Sequence, residues 1–287
     1  MRPGGPRVDE LWSAPAKVNL SLRVGRPRSD GYHPLDSVVQ TIDWTDELRF
    51  RDTDEDELRI EGADLPTGGD NLVWKAVESL GVEDRSPVEV TLEKRIPSGA
   101  GLGGGSSDAA AAIAALGERY GVGAPARANA ALRTGADVTF FLSGGSARME
   151  GIGERVTRLD PLAGFVVVVM VPEYRLATPE VYRSWDRLEY PTGRIVDARL
   201  LPPALRGFEV INDLTPAAVA VEPALGDLLT DLSNRWERPV MMSGSGSACF
   251  ACFADLDEAT HAAASATDAG MTRACALTSR GVHRLDR

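Results

Sequence analysis

Three features of this chain have the residue types for group transfer: a glycine-serine loop, an acid set just before an apolar run, and a lysine inside a strand-like segment. The loop is PSGAGLGGGSSDAA, residues 97–110, with five glycines between positions 99 and 105. Glycine loses more backbone entropy on folding than any other residue, so such a run signals a geometric need. Ser106, Ser107 and Asp108 open an alanine-rich helix expected to run to about Tyr120. At a helix mouth the unpaired N–H groups and the helix dipole favour an anion. Glycines let those N–H groups approach phosphate oxygens with no Cβ in the path. A phosphate cradle uses all of these features; a tight turn packed on another element is the plainer alternative.

Two familiar cradles fit poorly. A P-loop needs a lysine directly after its glycines, and none is present. Gly99, Gly101 and Gly104 match G-x-G-x-x-G, but any glycine run does so by chance, and a second helical segment follows where a dinucleotide fold wants a strand.

Asp137 stands in GADVTFF, where an acid next to a buried run is costly unless paired. It is a candidate base for an attacking hydroxyl; on its own it reads more readily as a helix-end or turn aspartate bonded to local N–H groups. Lys17, in APAKVNLSL, would be expensive to bury alone but not beside a carboxylate such as Asp137. An edge-strand lysine facing water is the competing reading. Asn19, two residues on, shares its strand face. DGYHP at 30–34 places Tyr32 and one of three histidines, His33, in a turn-rich loop.

The elements that must hold these residues show in the periodicity. Residues 11–24 and 35–51 alternate apolar and polar and read as half-buried strands, as do 87–95. Helices are expected near 71–80, capped by Asp70 or Asn71, and at 106–120 and 125–134. Beyond a composition shift at 158–164, strands are expected at 165–172, 239–243, 247–254 and 272–278, with helices near 178–187, 212–220, 223–234 and 257–268. The mixture lacks a regular βα repeat, which points to α+β. The expected division is a lead-in at 1–9 and two domains, 10–160 and 161–287.

The chain has 287 residues, 43% hydrophobic and 25% charged, as in a soluble globular protein. Its net charge of −11 argues against a general nucleic-acid or anionic-membrane partner. No apolar run approaches a membrane span. Cys249 and Cys252 form C-x-x-C, but on a strand they point to opposite faces, against metal or redox use. Sparse buried cysteine fits a reducing cytoplasm.

Pro97 through Ala110 resembles the proline-led, Gly-Leu-Gly-x-x-Ser-Ser ATP-binding motif of the GHMP kinases, the relatives of galactokinase, homoserine kinase and mevalonate kinase. APAKVNLSLRV at 14–24, followed by RSDGYHPLDSVVQTID, resembles the N-terminal signature of the 4-diphosphocytidyl-2-C-methyl-D-erythritol kinase family within that superfamily. GADVTFFLSGG (135–145), NDL (212–214) and MMSGSGSACFA (241–251) match further motifs in order, so the likeness runs from about 14 to 253. It implies the two-domain α+β GHMP fold, with the active site in the interdomain cleft. It also implies Lys17 and Asp137 as the catalytic pair and Asn19 near the reacting hydroxyl. Tyr32 would stack on a cytosine, His33 would hydrogen-bond it, and Tyr182 would lie on its other side. ATP would be held by Asn71, Lys94, Pro97, Gly99, Ala100, Gly101, Leu102, Gly103, Gly104, Gly105, Ser106 and Ser107, with Trp74 and Lys75 near the adenine. The turn at 243–246 would close on the phosphates. ATP is the implied donor, Mg²⁺ is expected with the nucleotide, and no protein metal cluster is expected. The partners are small molecules, and the state is a monomer or homodimer. Thr139 stands where the family usually has proline. The main competitor is a GHMP kinase for homoserine or mevalonate, which would not explain DGYHP and Tyr182; a non-catalytic nucleotide-binding module would not explain the lysine–aspartate pair.

Overall fold

The two long alternating segments become the longest strands, β1 (Asp9–Val24) and β2 (Leu35–Asp52), paired antiparallel over nearly their full length. The structure, a computed structural model, describes residues 9–286. Of the expected lead-in, residues 1–8 lie outside the described residues, and Asp9 already belongs to β1. On its free side β2 pairs first with β5 (Ser146–Gly151) and then with β4 (Val88–Glu93); β3 (Glu57–Glu61) lies parallel to β4 and β6 (Arg155–Arg158) antiparallel to β5. β11 (His283–Arg284) pairs with the other edge of β1. This makes a seven-stranded sheet whose last strand is supplied from far along the chain.

Across one face of this sheet lies α2 (Gly104–Arg119), flanked by α1 (Leu72–Ser79), α3 (Ala124–Thr134) and α4 (Ala136–Phe141). Its alanines, all buried, let the helix axis approach the strands closely. Ile113 and Leu116, fully buried, each contribute about 1.5–3 kcal/mol of apolar burial. The helix begins at Gly104, slightly before the expected Ser106, because the chain already turns helical within the glycine run.

The second sheet runs β10 (Met271–Cys275), β7 (Val166–Val171), β9 (Cys249–Phe253), β8 (Met241–Met242), all antiparallel. α5 (Thr178–Arg187), α6 (Thr215–Val221), α7 (Ala224–Trp236) and α8 (Leu256–Ala264) surround it. Ala16, Val18 and Leu20 of β1 share a core with Val167, Val169 and Phe250 of this sheet. Alternation then turns Lys17 and Asn19 to the opposite side of the strand. Cys249 and Cys252 enter different cores, as their spacing on a strand requires, and burial pushes both thiols up to about 12. Among the described residues no helix is long and apolar enough to cross a membrane.

Candidate active site

A cleft of about 460 Å³ opens where the glycine loop meets β1, α4, α5 and the turn at 243–246. It is lined by Pro97, Gly99, Ala100, Gly101, Gly103, Gly104, Gly105 and Ser106 on one wall and by Lys17, Asn19, Asp137 and Tyr182 on the other. Gly244, Ser245 and Thr178 close it from the second sheet's side.

The loop's backbone is sorted by polarity. The carbonyls of Ala100, Gly101 and Leu102 turn into the protein and are bonded by Ala248 N, Ser243 Oγ and Lys17 N respectively, each at 2.9 Å. Lys17 Nζ adds a second bond to Gly101 O at 2.9 Å. Among the described residues no protein group accepts from the backbone N–H groups of residues 101–106. A loop with its acceptors consumed and its donors free is built to receive an anion.

The structure also explains why two of the positions must be glycine. Gly101 has φ +80°, and a Cβ there would lie 2.2 Å from the Ser243 carbonyl oxygen. Gly103 has φ +73°, and its Cβ would lie 2.7 Å from Phe141 Cζ. At both, the crowding comes from the protein itself. Gly105 differs: a Cβ would meet only Leu72 Cδ1, at an ordinary 3.5 Å, so the fold itself leaves that space open.

Lys17 is 4% exposed; it bonds Asn19 Oδ1 and stands 3.8 Å from Asp137 Oδ2. Burial lowers its pKa, and the Asp137 charge opposes that shift without cancelling it. Asp137 lies in the first turn of α4, with its side chain 34% exposed to the cleft. Asn19 is fixed by donating to Ser37 Oγ at 2.8 Å, while its N–H donates to Ser243 Oγ at 3.2 Å. Thr139, two residues after Asp137, has a buried hydroxyl with no partner. Tyr182 faces the same space; burial and then the Asp137 charge push its phenol up to about 12.

Other expected site residues stand elsewhere. His33 is bonded to Asp186 Oδ1 at 2.9 Å and packs 5.0 Å from the Tyr182 ring, behind the cleft wall. Tyr32 is 61% exposed on the loop before β2. Asn71 caps α1, accepting from Val73 N at 2.9 Å, and its neighbour Leu72 is what reaches the cleft. Leu102 and Ser107 are buried under the loop. Lys94, expected to line the nucleotide cleft, is instead turned beneath it, paired with Asp46 and Asp108. Its ammonium is drawn there because two buried carboxylates outweigh solvent exposure; they raise its pKa although burial alone would lower it.

Sequence reasoning missed Asp46. The signal was available: Ile42, Trp44, Leu48 and Phe50 alternate as the apolar face of β2, and an acid sits in phase with them. It also missed Thr178, whose hydroxyl meets Ser245 Oγ at 2.7 Å, and Arg175, whose guanidinium approaches Gly99.

Comparison with known proteins gives the arrangement its relatives. The family described as GHMP kinases N terminal domain matches residues 71–145, which hold the loop and Asp137. A 4-diphosphocytidyl-2-C-methyl-D-erythritol kinase of Pelotomaculum thermopropionicum is 38% identical over 88% of this chain and 91% of its own length. One from Deinococcus radiodurans is 38% identical, covering 88% and 86%. A solved structure of 4-(cytidine 5'-diphospho)-2C-methyl-D-erythritol kinase superposes with a TM-score of 0.74 at 37% identity, covering 94% of this chain and 99% of that one. A homoserine kinase from Cytophaga hutchinsonii, with a TM-score of 0.65 at 18% identity over 99% and 100% of the two chains, shares the fold. With relatives this similar over nearly its whole length, the chain belongs to the 4-diphosphocytidyl-2-C-methyl-D-erythritol kinase family of GHMP kinases.

Proposed function

We propose that this cleft transfers the γ-phosphoryl group of ATP to the 2-hydroxyl of 4-diphosphocytidyl-2-C-methyl-D-erythritol, with Asp137 as base and Lys17 as its partner. As a member of its family the chain is an ATP-dependent small-molecule kinase of the methylerythritol phosphate route to isoprenoid precursors. The observation that carries the residue assignment is the juxtaposition, in one cleft, of free backbone donors at 101–106 with the Lys17–Asp137 pair.

Phosphoryl transfer needs positioning and charge stabilisation more than covalent help. The donors at 101–106 and the Ser106 hydroxyl would take the phosphate oxygens, with the α2 dipole behind them. The acceptor hydroxyl would lie between Asp137 and Lys17, whose 3.8 Å separation is looser than a hydrogen bond and leaves both groups free to engage it. As the hydroxyl oxygen bonds the γ-phosphorus, its proton passes to Asp137 and the bond from phosphorus to the β,γ-bridging oxygen breaks, releasing ADP. Lys17 stands beside the base and offsets charge growing on the transferring group. Asn19, braced by Ser37 and Ser243, orients the acceptor. Tyr182 offers a ring to the cytosine, with His33 packed against it; Tyr32 would have to fold inward to take part. Mg²⁺ arriving with the nucleotide would rest mainly on phosphate oxygens, with Asp137 and Ser106 the nearby oxygen donors in a cleft without a ligand cluster among the described residues.

The two units, 10–160 and 161–287, enclose the site between them, with the return of β11 to the first sheet tying them together. Three buried thiols with raised pKa values suit a reducing cytoplasm.

The test is ADP release coupled to a reporter, with the diphosphocytidyl alcohol and homoserine offered as acceptors. Release with the first and not the second is expected. Release with homoserine alone overturns the substrate, and full activity in Asp137→Asn overturns the base.

A further inference from the structure

The glycine loop has a second support that the chemistry above does not use. Where β4 ends, Asp46 of β2, fully buried, accepts from Arg95 N at 2.6 Å and Ile96 N at 2.8 Å through Oδ1, and from Lys94 Nζ through Oδ2. The same ammonium donates at 2.8 Å to Asp108 Oδ2, in the second turn of α2. One cation therefore joins the strand that enters the loop to the helix that leaves it. The fit is close: a Cβ on Gly104 would lie 2.9 Å from Lys94 Nζ.

We propose that Asp46, Lys94 and Asp108 are positioning residues that set the span of the phosphate loop, so that its free N–H groups converge on the triphosphate. This rests on the placement of the nucleotide at 101–106 proposed above. The two carboxylates are not equivalent. Asp46 has both oxygens engaged and three donors aimed at it. Asp108 has one oxygen on Lys94 and the other buried with no partner. Burial pushes it up to about 8 against the pull of Lys94. What Asp108 supplies to the tether is an acceptor oxygen, which an amide also supplies.

The experiment compares Asp108→Ala with Asp108→Asn by steady-state kinetics and by calorimetric ATP binding, with thermal melts to confirm folding. Alanine leaves the Lys94–Asp46 pair balanced but unties the helix; the KM for ATP should rise about tenfold while the KM for the acceptor stays within about twofold. Asparagine should restore the ATP KM to within about threefold of the parent, because its carbonyl still accepts from Lys94. A folded Asp108→Ala enzyme with parental ATP affinity overturns the proposal, as does equal damage to both substrates' KM values. Gly105→Ala separates this from the underlying site reading. If Gly105→Ala weakens ATP binding and Asp108→Ala does not, the tether alone fails; if neither weakens it, the nucleotide is not on this loop.

Discussion

Lys17 and Lys94 lie on opposite sides of the same loop, both buried, and they are set up in opposite ways. Lys17 has a single carboxylate at 3.8 Å, part of it open to the cleft, and burial wins: its pKa is lowered. Lys94 has two carboxylates in direct contact, both closed to water, and they win over burial: its pKa is raised. The cation in the cleft is held in an under-compensated state that a substrate's negative charge would relieve. The one below is engaged by Asp46 and Asp108 and does not line the cleft. The lesson is that a buried lysine near a phosphate site is judged by whether its partners leave it unsatisfied.

The sharpest break of this comparison is chemical. Asp137→Asn should lower kcat by about 10³-fold with only a small fall in melting temperature, because its side chain is partly exposed and stands 3.8 Å from Lys17. A comparable loss of both rate and stability would make Asp137 a structural group. Next comes the pair of lysine-to-methionine variants. Lys94→Met strands the buried Asp46 and leaves Asp108 without its donor, and should cost about 3–5 kcal/mol in urea unfolding. Lys17→Met should abolish turnover while holding or raising stability, since it removes a charge that burial penalises. Equal destabilisation of the two would erase the distinction.

The smallest effect is in pH dependence. A lysine with a folded pKa below its unfolded value of about 10.5 costs stability while it is charged in both states. That cost fades as pH rises through the lowered pKa towards 10.5. Lys94, raised above 10.5, contributes stability that is fully present below that value and is lost as pH climbs through its folded pKa. The parent should therefore gain on Lys17→Met with rising alkalinity and lose its advantage over Lys94→Met at still higher pH. Unfolding free energies measured from pH 7 upward test both signs.

Much of this was legible in the chain itself. The strands at 11–24 and 35–51, the helix at 178–187 and the loop-to-helix joint follow from alternation, spacing and glycine, which are local signals. β3, β5, β6 and α4 were not: they are short, and their charged residues obscure any periodicity. The direction of the Lys94 side chain was hidden for a different reason. It depends on Asp46 and Asp108, one on another strand and one on the following helix, and no local pattern encodes that three-body meeting. His33 likewise sits next to a glycine turn as if exposed, yet Asp186 and the rings of Tyr182 and Trp185 draw it against α5.

The pairing of β11 with β1 has a consequence for how the molecule is made. Leu285 N bonds Leu11 O, and Gly281 N and Val282 N bond the carbonyls of Ser143 and Phe141, at the end of the helix that carries Asp137. These partners are synthesised long after that helix has left the ribosome. The aspartate's seat is thus finished late, and a nascent chain that already has its phosphate loop still lacks the last stitches behind its base.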